Sequence, residues 1–324
     1  MARDPLTVVY RVTTLRRLAY VTLGLAFLQI VFGAIVRITG SGLGCGDHWP
    51  DCYGSFTPAH RGVALLIEIS HRYGAAVLST AVIALALTAF VKRAEPGIDG
   101  DHGVLRPSLL AVGLVVLAAV LGGVTVKLGL NPFVIVTHLA IAMSLLAVLS
   151  VTAIRAGGFG AGAEMSGASR RTWRASVAAV SLTFLALVLG ALTANFPGAS
   201  VACGGFPWCR SVLGGGAALA IQVTHRVVAF LLFAHLLGMA VSVSRRNEPR
   251  VLVRAARVAF AAVLLQVLIA AAMVEMHLPT PLRSLHQAAG TLLWLSVCIL
   301  AGLARIAAPA LERSSAPSLE AVRA

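Results

Sequence analysis

Apolar residues gather into eight long runs: 18–38, 63–91, 107–127, 133–154, 175–195, 217–243, 258–277 and 284–305. Short segments rich in Arg, Gly, Pro or Cys separate them. A hydrocarbon core of about 30 Å needs about 20 apolar residues, and every run is close to that length or longer. The second and sixth are expected to tilt or protrude. The first follows a basic stretch and has no small-residue cleavage site at its end, so it reads as a retained helix, not a signal peptide. The pattern predicts an all-α integral membrane protein of eight transmembrane helices.

Composition agrees. Of 324 residues, 58% are hydrophobic and 12% charged, with mean hydropathy +0.90. A soluble domain is nearer a quarter charged. The formal net charge of +14 does not imply nucleic-acid binding, because no soluble segment is long enough to form a basic domain. Its placement explains it. With a cytoplasmic N-terminus, 19 of the 26 Lys and Arg fall in inner segments. The exceptions are Arg37, Arg61, Arg72, Lys127, Arg210, Arg226 and Arg283. This bias puts both termini in the cytoplasm of a plasma-membrane protein and faces the Cys-bearing loops outward. Anionic lipid headgroups are the expected contact of the basic segments.

The two halves resemble each other. Gly33-Ala34 ends a run before a loop with Cys45 and Cys52, and Gly190-Ala191 ends one before a loop with Cys203 and Cys209. Glu68-Ile-Ser-His71-Arg72 matches Gln222-Val-Thr-His225-Arg226, and Pro132 before His138 matches Pro281 before His286. Four helices per half is an even number, so the halves share one orientation. Two tandem four-helix bundles related by a pseudo-twofold axis along the membrane normal are expected. The division is a cytoplasmic segment 1–17, a first half 18–155, a linker 156–174, a second half 175–305 and a cytoplasmic tail 306–324.

Four histidines lie inside spans, on helices two, four, six and eight: His71, His138, His225 and His286. All fall within roughly 12 Å of the outer surface at about 1.5 Å rise per residue. A lone histidine of this kind is more often a buried hydrogen-bonding group. Four at equivalent depth, two per repeat, point to two sites, His71 with His138 and His225 with His286. An ionisable group in hydrocarbon is a functional candidate, and imidazole is a common axial ligand of haem iron. A bare metal would recruit carboxylates or thiolates, but Glu68 is the one carboxylate deep near these positions. A flat apolar macrocycle fits better.

Arg72 and Arg226 follow two of the histidines; they suit either haem propionates or snorkelling to the interface. Glu68 shares a helix face with His71. Its counterpart Gln222 suggests a reactive first half and a redox second half. Burial of a carboxylate raises its proton affinity, as suits a general base; the alternative is a structural hydrogen bond. Two intraloop disulfides, Cys45–Cys52 and Cys203–Cys209, are expected on an oxidising face, as structural staples or as reversible redox pairs. Their spacing does not suit zinc. Cys298 reads as a small core residue. Gly40-Ser-Gly-Leu-Gly44 is discounted as a phosphate loop, since no strand precedes it. His48, His60, His102, His235 and His277 all read as incidental, with lining an entrance as the alternative for His60.

Together these residues resemble haem A synthase, over about 18–305. The resemblance implies oxidation of the C8 methyl of haem O to a formyl group through hydroxylated intermediates, for the terminal oxidase. It implies haem O as substrate on His71 and His138, haem b as permanent cofactor on His225 and His286, and Glu68 as the catalytic residue. It also implies delivery of haem O by the membrane-bound haem O synthase of the same pathway, and leaves the electron acceptor unnamed. The rival is a non-enzymatic dihaem b-type cytochrome, from which the Glu68/Gln222 asymmetry would distinguish it. A transporter is disfavoured, because matched broken helices are lacking.

Overall fold

The computed structural model describes residues 5–57, 62–161 and 169–308. His60 as an entrance residue, and the inner or outer placement of Arg3, Arg61, Arg313 and Arg323, lie outside them. Eight helices carry the fold: α1 (Pro5–Ile38), α2 (Val63–Val91), α3 (Leu105–Lys127), α4 (Pro132–Arg155), α5 (Arg170–Asn195), α6 (Gly216–Arg245), α7 (Arg250–Glu275) and α8 (Thr280–Ala307). All eight are long and apolar enough to span a membrane, α1 from Thr13 onward. The chain is thus a multi-pass membrane protein.

Most helices begin earlier than the apolar runs suggest. α7 starts at Arg250, not near 258, because Arg is a good helix former and hydrogen bonding continues past the edge of the apolar run. Pro249 stands at its N-cap. α1 at 34 residues is about 50 Å long, well beyond the bilayer core. The α5–α6 loop adds an element that the periodicity did not announce. A minimal antiparallel ladder pairs β1 (Cys203–Gly204) with β2 (Ser211–Val212).

α1 and α3 each pack on α2 and α4, and α5 and α7 each pack on α6 and α8. α8 additionally touches α1 and α4, and α4 touches α5. Two buried clusters result. One gathers α5–α8 around Leu236, Leu252 and Leu300. The other gathers α1–α4 around Leu85, Leu146 and Leu149, and takes in Trp294 and Cys298 from α8. Lipid tails are as apolar as these side chains, so helices associate through close packing and polar ties. Both appear where α8 meets α4. Gly302 lies so near that an added Cβ would come 2.5 Å from Ile154 Cδ1. Trp294 Nε1 donates to Met143 O at 2.8 Å.

The short α6–α7 connection holds a second tie. The Glu248 side chain is 2% exposed. It accepts from Ser169 Oγ at 2.5 Å and Thr172 Oγ1 at 2.6 Å, with Ser169 N at 3.1 Å. Ser169 is the N-cap of α5, so one carboxylate locks the start of α5 to the α6–α7 turn. Burial pushes the carboxyl's pKa up. The Ser169 and Thr172 hydrogen bonds, with Arg246 beside it, outweigh burial and leave it below the usual carboxylate range. The folded state therefore favours the ionised form. Its contribution is complete above the unfolded pKa of about 4.3 and is lost as pH falls through the depressed folded value. Glu248→Ala should lower stability by about 2–3 kcal/mol at neutral pH. Thermal unfolding in detergent should show the deficit shrinking as the sample is acidified below about pH 4.

Candidate functional site

Three of the four histidines meet a polar group of a neighbouring helix through a ring nitrogen, and three meet a glycine on such a helix. His71 on α2 faces α1. Gln29 Nε2 lies 2.9 Å from its Nδ1 and donates to His71 O at 2.8 Å. One turn on, a Cβ at Gly33 would come 3.0 Å from His71 Cε1. His225 on α6 faces α5 in the same way. Its Nδ1 donates to Ala186 O at 3.0 Å, and a Cβ at Gly190 would come 3.0 Å from its Cε1. His138 on α4 faces α3, with Gly122 against its Cε1 at 3.4 Å by the same measure. Its Nδ1 is buried without a hydrogen-bond partner. His286 on α8 faces α7, where Gln266 Nε2 lies 3.2 Å from both ring nitrogens. Gln266 Oε1 is buried without a partner. Turning that amide over would let Oε1 accept an N–H from the ring.

The rings of His225 and His286 line one cavity. His71 is close enough to His138, and His286 to His225, for their charges to interact. His225 and His286 flank a cavity of about 330 Å³. That volume is within the range of cofactor clefts, about 300–1,000 Å³. Its lining is mostly apolar, with Leu187, Leu232, Val263 and Leu293 among the side chains. Gln222, Arg226, Gln266, Arg37 and Arg283 are its chief polar members. A carbonyl can only accept, so the Ala186 contact fixes the proton of His225 on Nδ1. Nε2 is left as a free lone pair, the form in which imidazole binds a metal.

Glu68 and Gln222 anchor the two Cys loops. Glu68, 3% exposed, accepts from Cys45 N at 2.8 Å through one oxygen and pairs with Arg72 through the other. Gln222 accepts from Cys203 N at 2.5 Å and donates to Ser200 O at 3.1 Å. Arg72 donates to the carbonyls of His48, Pro50 and Asp51, and Arg226 to those of Cys203, Gly205 and Pro207. Both disulfides are formed, Cys45–Cys52 and Cys203–Cys209. Glycine explains the first loop's approach. A Cβ at Gly44 would come 2.5 Å from the Ala64 backbone, so only glycine lets the loop lie on the start of α2. That contact brings Cys45 N to Glu68.

The arrangement adds to the expectation from sequence. Glu68 is not an isolated buried carboxylate, since both its oxygens are engaged. The two arginines hold loop carbonyls. His48 lends its carbonyl to Arg72, and His235 Nε2 donates to Ala175 O at 2.9 Å. Cys298 is buried and free. Among the described residues, no cluster of three or more His, Cys, Asp or Glu forms a bare metal site. The residues that the sequence reading passed over are Gln29, Gln266, Arg37 and Arg283. Their signal was a long polar side chain inside or at the edge of an apolar run. Gly33 and Gly190 were noticed as marks of repetition, not as seats for the rings, and Gly122 was not singled out.

A sequence model of the family COX15-CtaA, Cytochrome oxidase assembly protein, matches residues 16–298. The chain belongs to this family. It is 30% identical over 239 residues to the Heme A synthase of Alkalihalophilus pseudofirmus, covering 72% of this chain and 78% of that protein. To the Heme A synthase of Bacillus licheniformis it is 29% identical over 246 residues, covering 73% and 78%. To that of Macrococcus caseolyticus it is 28% identical over 290 residues, covering 86% and 93%. The family match starts within α1 and ends within α8, so it takes in every helix that carries a paired histidine.

Because Gln222 satisfies a buried backbone N–H, Gln222→Ala should leave that donor unpaired and cost about 1–3 kcal/mol. Gln222→Glu, which keeps an acceptor there, should cost less. Thermal unfolding of the two variants in detergent checks the difference.

Proposed function

We propose that this protein is a haem A synthase that oxidises the C8 methyl of haem O to a formyl group through hydroxylated intermediates. The observation that carries the reading is the His225/His286 cavity in a chain of this family. It is apolar, of cofactor size, and flanked by two imidazoles, one with its tautomer set for a metal. Those features fit haem b, with His225 and His286 as its ligands. Bound there, haem b supplies one-electron redox chemistry beside the substrate. Haem O is assigned to His71 and His138 in the first half.

Conversion of a methyl to a formyl group with one water releases four electrons and four protons, so a base near the methyl is required. Glu68 is that base in this reading. Cys45 N–H and Arg72 hold its two oxygens, so proton uptake requires the Arg72 pair to open. The same proposal includes two tandem four-helix bundles related by a pseudo-twofold axis along the membrane normal. Its support is the neighbour pattern, in which each set of four consecutive helices closes on itself, and the matched anchors of the two Cys loops. It also places the protein in the plasma membrane with both termini cytoplasmic and the Cys loops outside, on the strength of the Lys and Arg bias. Haem O arrives from the haem O synthase of the same pathway, and its apolar tail suits a route through lipid.

One observation keeps the dihaem cytochrome in view. Glu68 and Gln222 do the same anchoring work, so their difference has a structural side as well as a chemical one. Glu68→Gln separates the readings cleanly, because Gln222 demonstrates that an amide can accept the equivalent N–H. In a host that makes haem O but no haem A, the wild-type chain should yield haem b together with haem A or hydroxylated haem O. Glu68→Gln should keep its haem content and fold yet accumulate unmodified haem O, read by chromatography and mass spectrometry of extracted haems. Unchanged product from the variant would remove Glu68 from the reaction. Haem b alone from the wild type would favour the cytochrome. Gly190→Val should displace the His225 ring and lower haem b content several-fold, while His71 and His138 are untouched.

A further inference from the structure

The outer end of the His225/His286 cavity holds two arginines from distant parts of the chain. Arg37 lies in the last turn of α1 and Arg283 in the first turn of α8, and both line the cavity. They are near enough for their positive charges to interact. Among the described residues, neither is paired with a carboxylate. Among the described residues, the Arg37 guanidinium has one hydrogen bond, to Ala194 O at 3.3 Å, and that of Arg283 makes none. Arg226 also lines the cavity, but three of its five N–H donors are given to loop carbonyls.

Two like charges drawn together at the edge of a membrane protein are costly unless an anion joins them. The guanidinium fork matches a carboxylate in shape and charge. We infer that Arg37 and Arg283 form a carboxylate-binding pair that takes the propionates of the macrocycle held between His225 and His286. The inference rests on the haem reading above and deepens it. Arg72 and Arg226, the arginines beside the histidines in sequence, are loop clamps. The second-half site is also incomplete without Arg37, a residue of the first half.

The test uses the full chain, produced without haem and purified in detergent, titrated with haem b and with haem b dimethyl ester. Esterification removes the propionate charges and leaves the ring and iron intact. The wild type should bind the free acid about ten- to hundredfold more tightly than the diester, the scale of a charged hydrogen bond. Arg37→Gln and Arg283→Gln should each erase most of that preference while still binding the diester, and Arg37→Lys should retain part of it. In the haem-loaded Gln variants the reduction potential should move negative, since a cation beside the ring has been removed. Helix content and elution volume confirm that each variant is folded, and Arg37→Lys with Arg283→Gln decides the matter if Arg37→Gln is not. Full preference in both Gln variants, or its loss in Arg226→Gln alone, would overturn the pair. Equal binding of acid and diester by the wild type would overturn it as well. Binding of neither by the wild type would bring down the haem reading itself.

Discussion

A ring nitrogen carried into hydrocarbon has to find its partner on another helix, because no water is available to supply one. Three of the four paired histidines meet that demand in one repeated way. The ring lies against a polar group of the preceding helix: Gln29 for His71, the Ala186 carbonyl for His225 and Gln266 for His286. Four residues beyond that group stands Gly33, Gly190 or Ala270, and Gly122 lies against the His138 ring. Four residues is about one helical turn, so the polar group and the small residue share a face. The small residue admits the ring and the polar group orients it. Much of the pairing of neighbouring helices follows, since α1 must lie on α2, α5 on α6 and α7 on α8 to satisfy the rings.

The Cys loops obey the same constraint from the other direction. An irregular loop over the ends of membrane helices carries backbone groups that need partners. Glu68 and Gln222 each accept one cysteine N–H, and Arg72 and Arg226 each collect several carbonyls. The disulfide closes each loop so that these few bonds hold a larger segment. The anchors sit three residues before and one residue after a site histidine, so loop and ring are fixed by the same turn of helix. The chemical difference between the halves is therefore narrow. One anchor is a carboxylate facing its arginine, the other an amide that bonds Ser200 instead.

The helices and the paired histidines were legible because lipid imposes a long apolar run and makes an internal imidazole conspicuous. Helix ends were less so. Arg250, Arg254 and Arg257 read as a polar segment, yet they continue α7, because hydrophobicity marks the bilayer and not the end of hydrogen bonding. Glu68 was legible as a buried acid with a structural hydrogen bond as one of its readings, but its partner was not, since that N–H belongs to Cys45, which a backbone turn delivers. The guanidinium of Arg226 sits beside a site histidine in sequence and is nonetheless engaged by a loop. That outcome depends on the path of residues 203–207, including a ladder two residues long, and no periodicity announces such a path. Arg37 was hidden for a related reason. Its importance comes from α1 and α5 ending side by side, where it reaches Ala194 O.

The contacts between the first four helices and the last four tie the two histidine pairs together. α8 holds His286 near one end and Trp294 eight residues further on, about 12 Å along the helix axis. Trp294 is bonded to Met143, which lies five residues beyond His138 on α4. It also packs on Phe184 of α5, with ring centroids 5.6 Å apart. The helix bearing one proposed ligand is thus fastened to the helix bearing another across the seam. Gly302 against Ile154 closes the same seam further along. Packed cores transmit displacement because they contain little free space. A shift of α8 would move His286 and strain the α4 segment that follows His138. Such a seam keeps the separation of the two histidine pairs constant while the loops and side chains around them adjust.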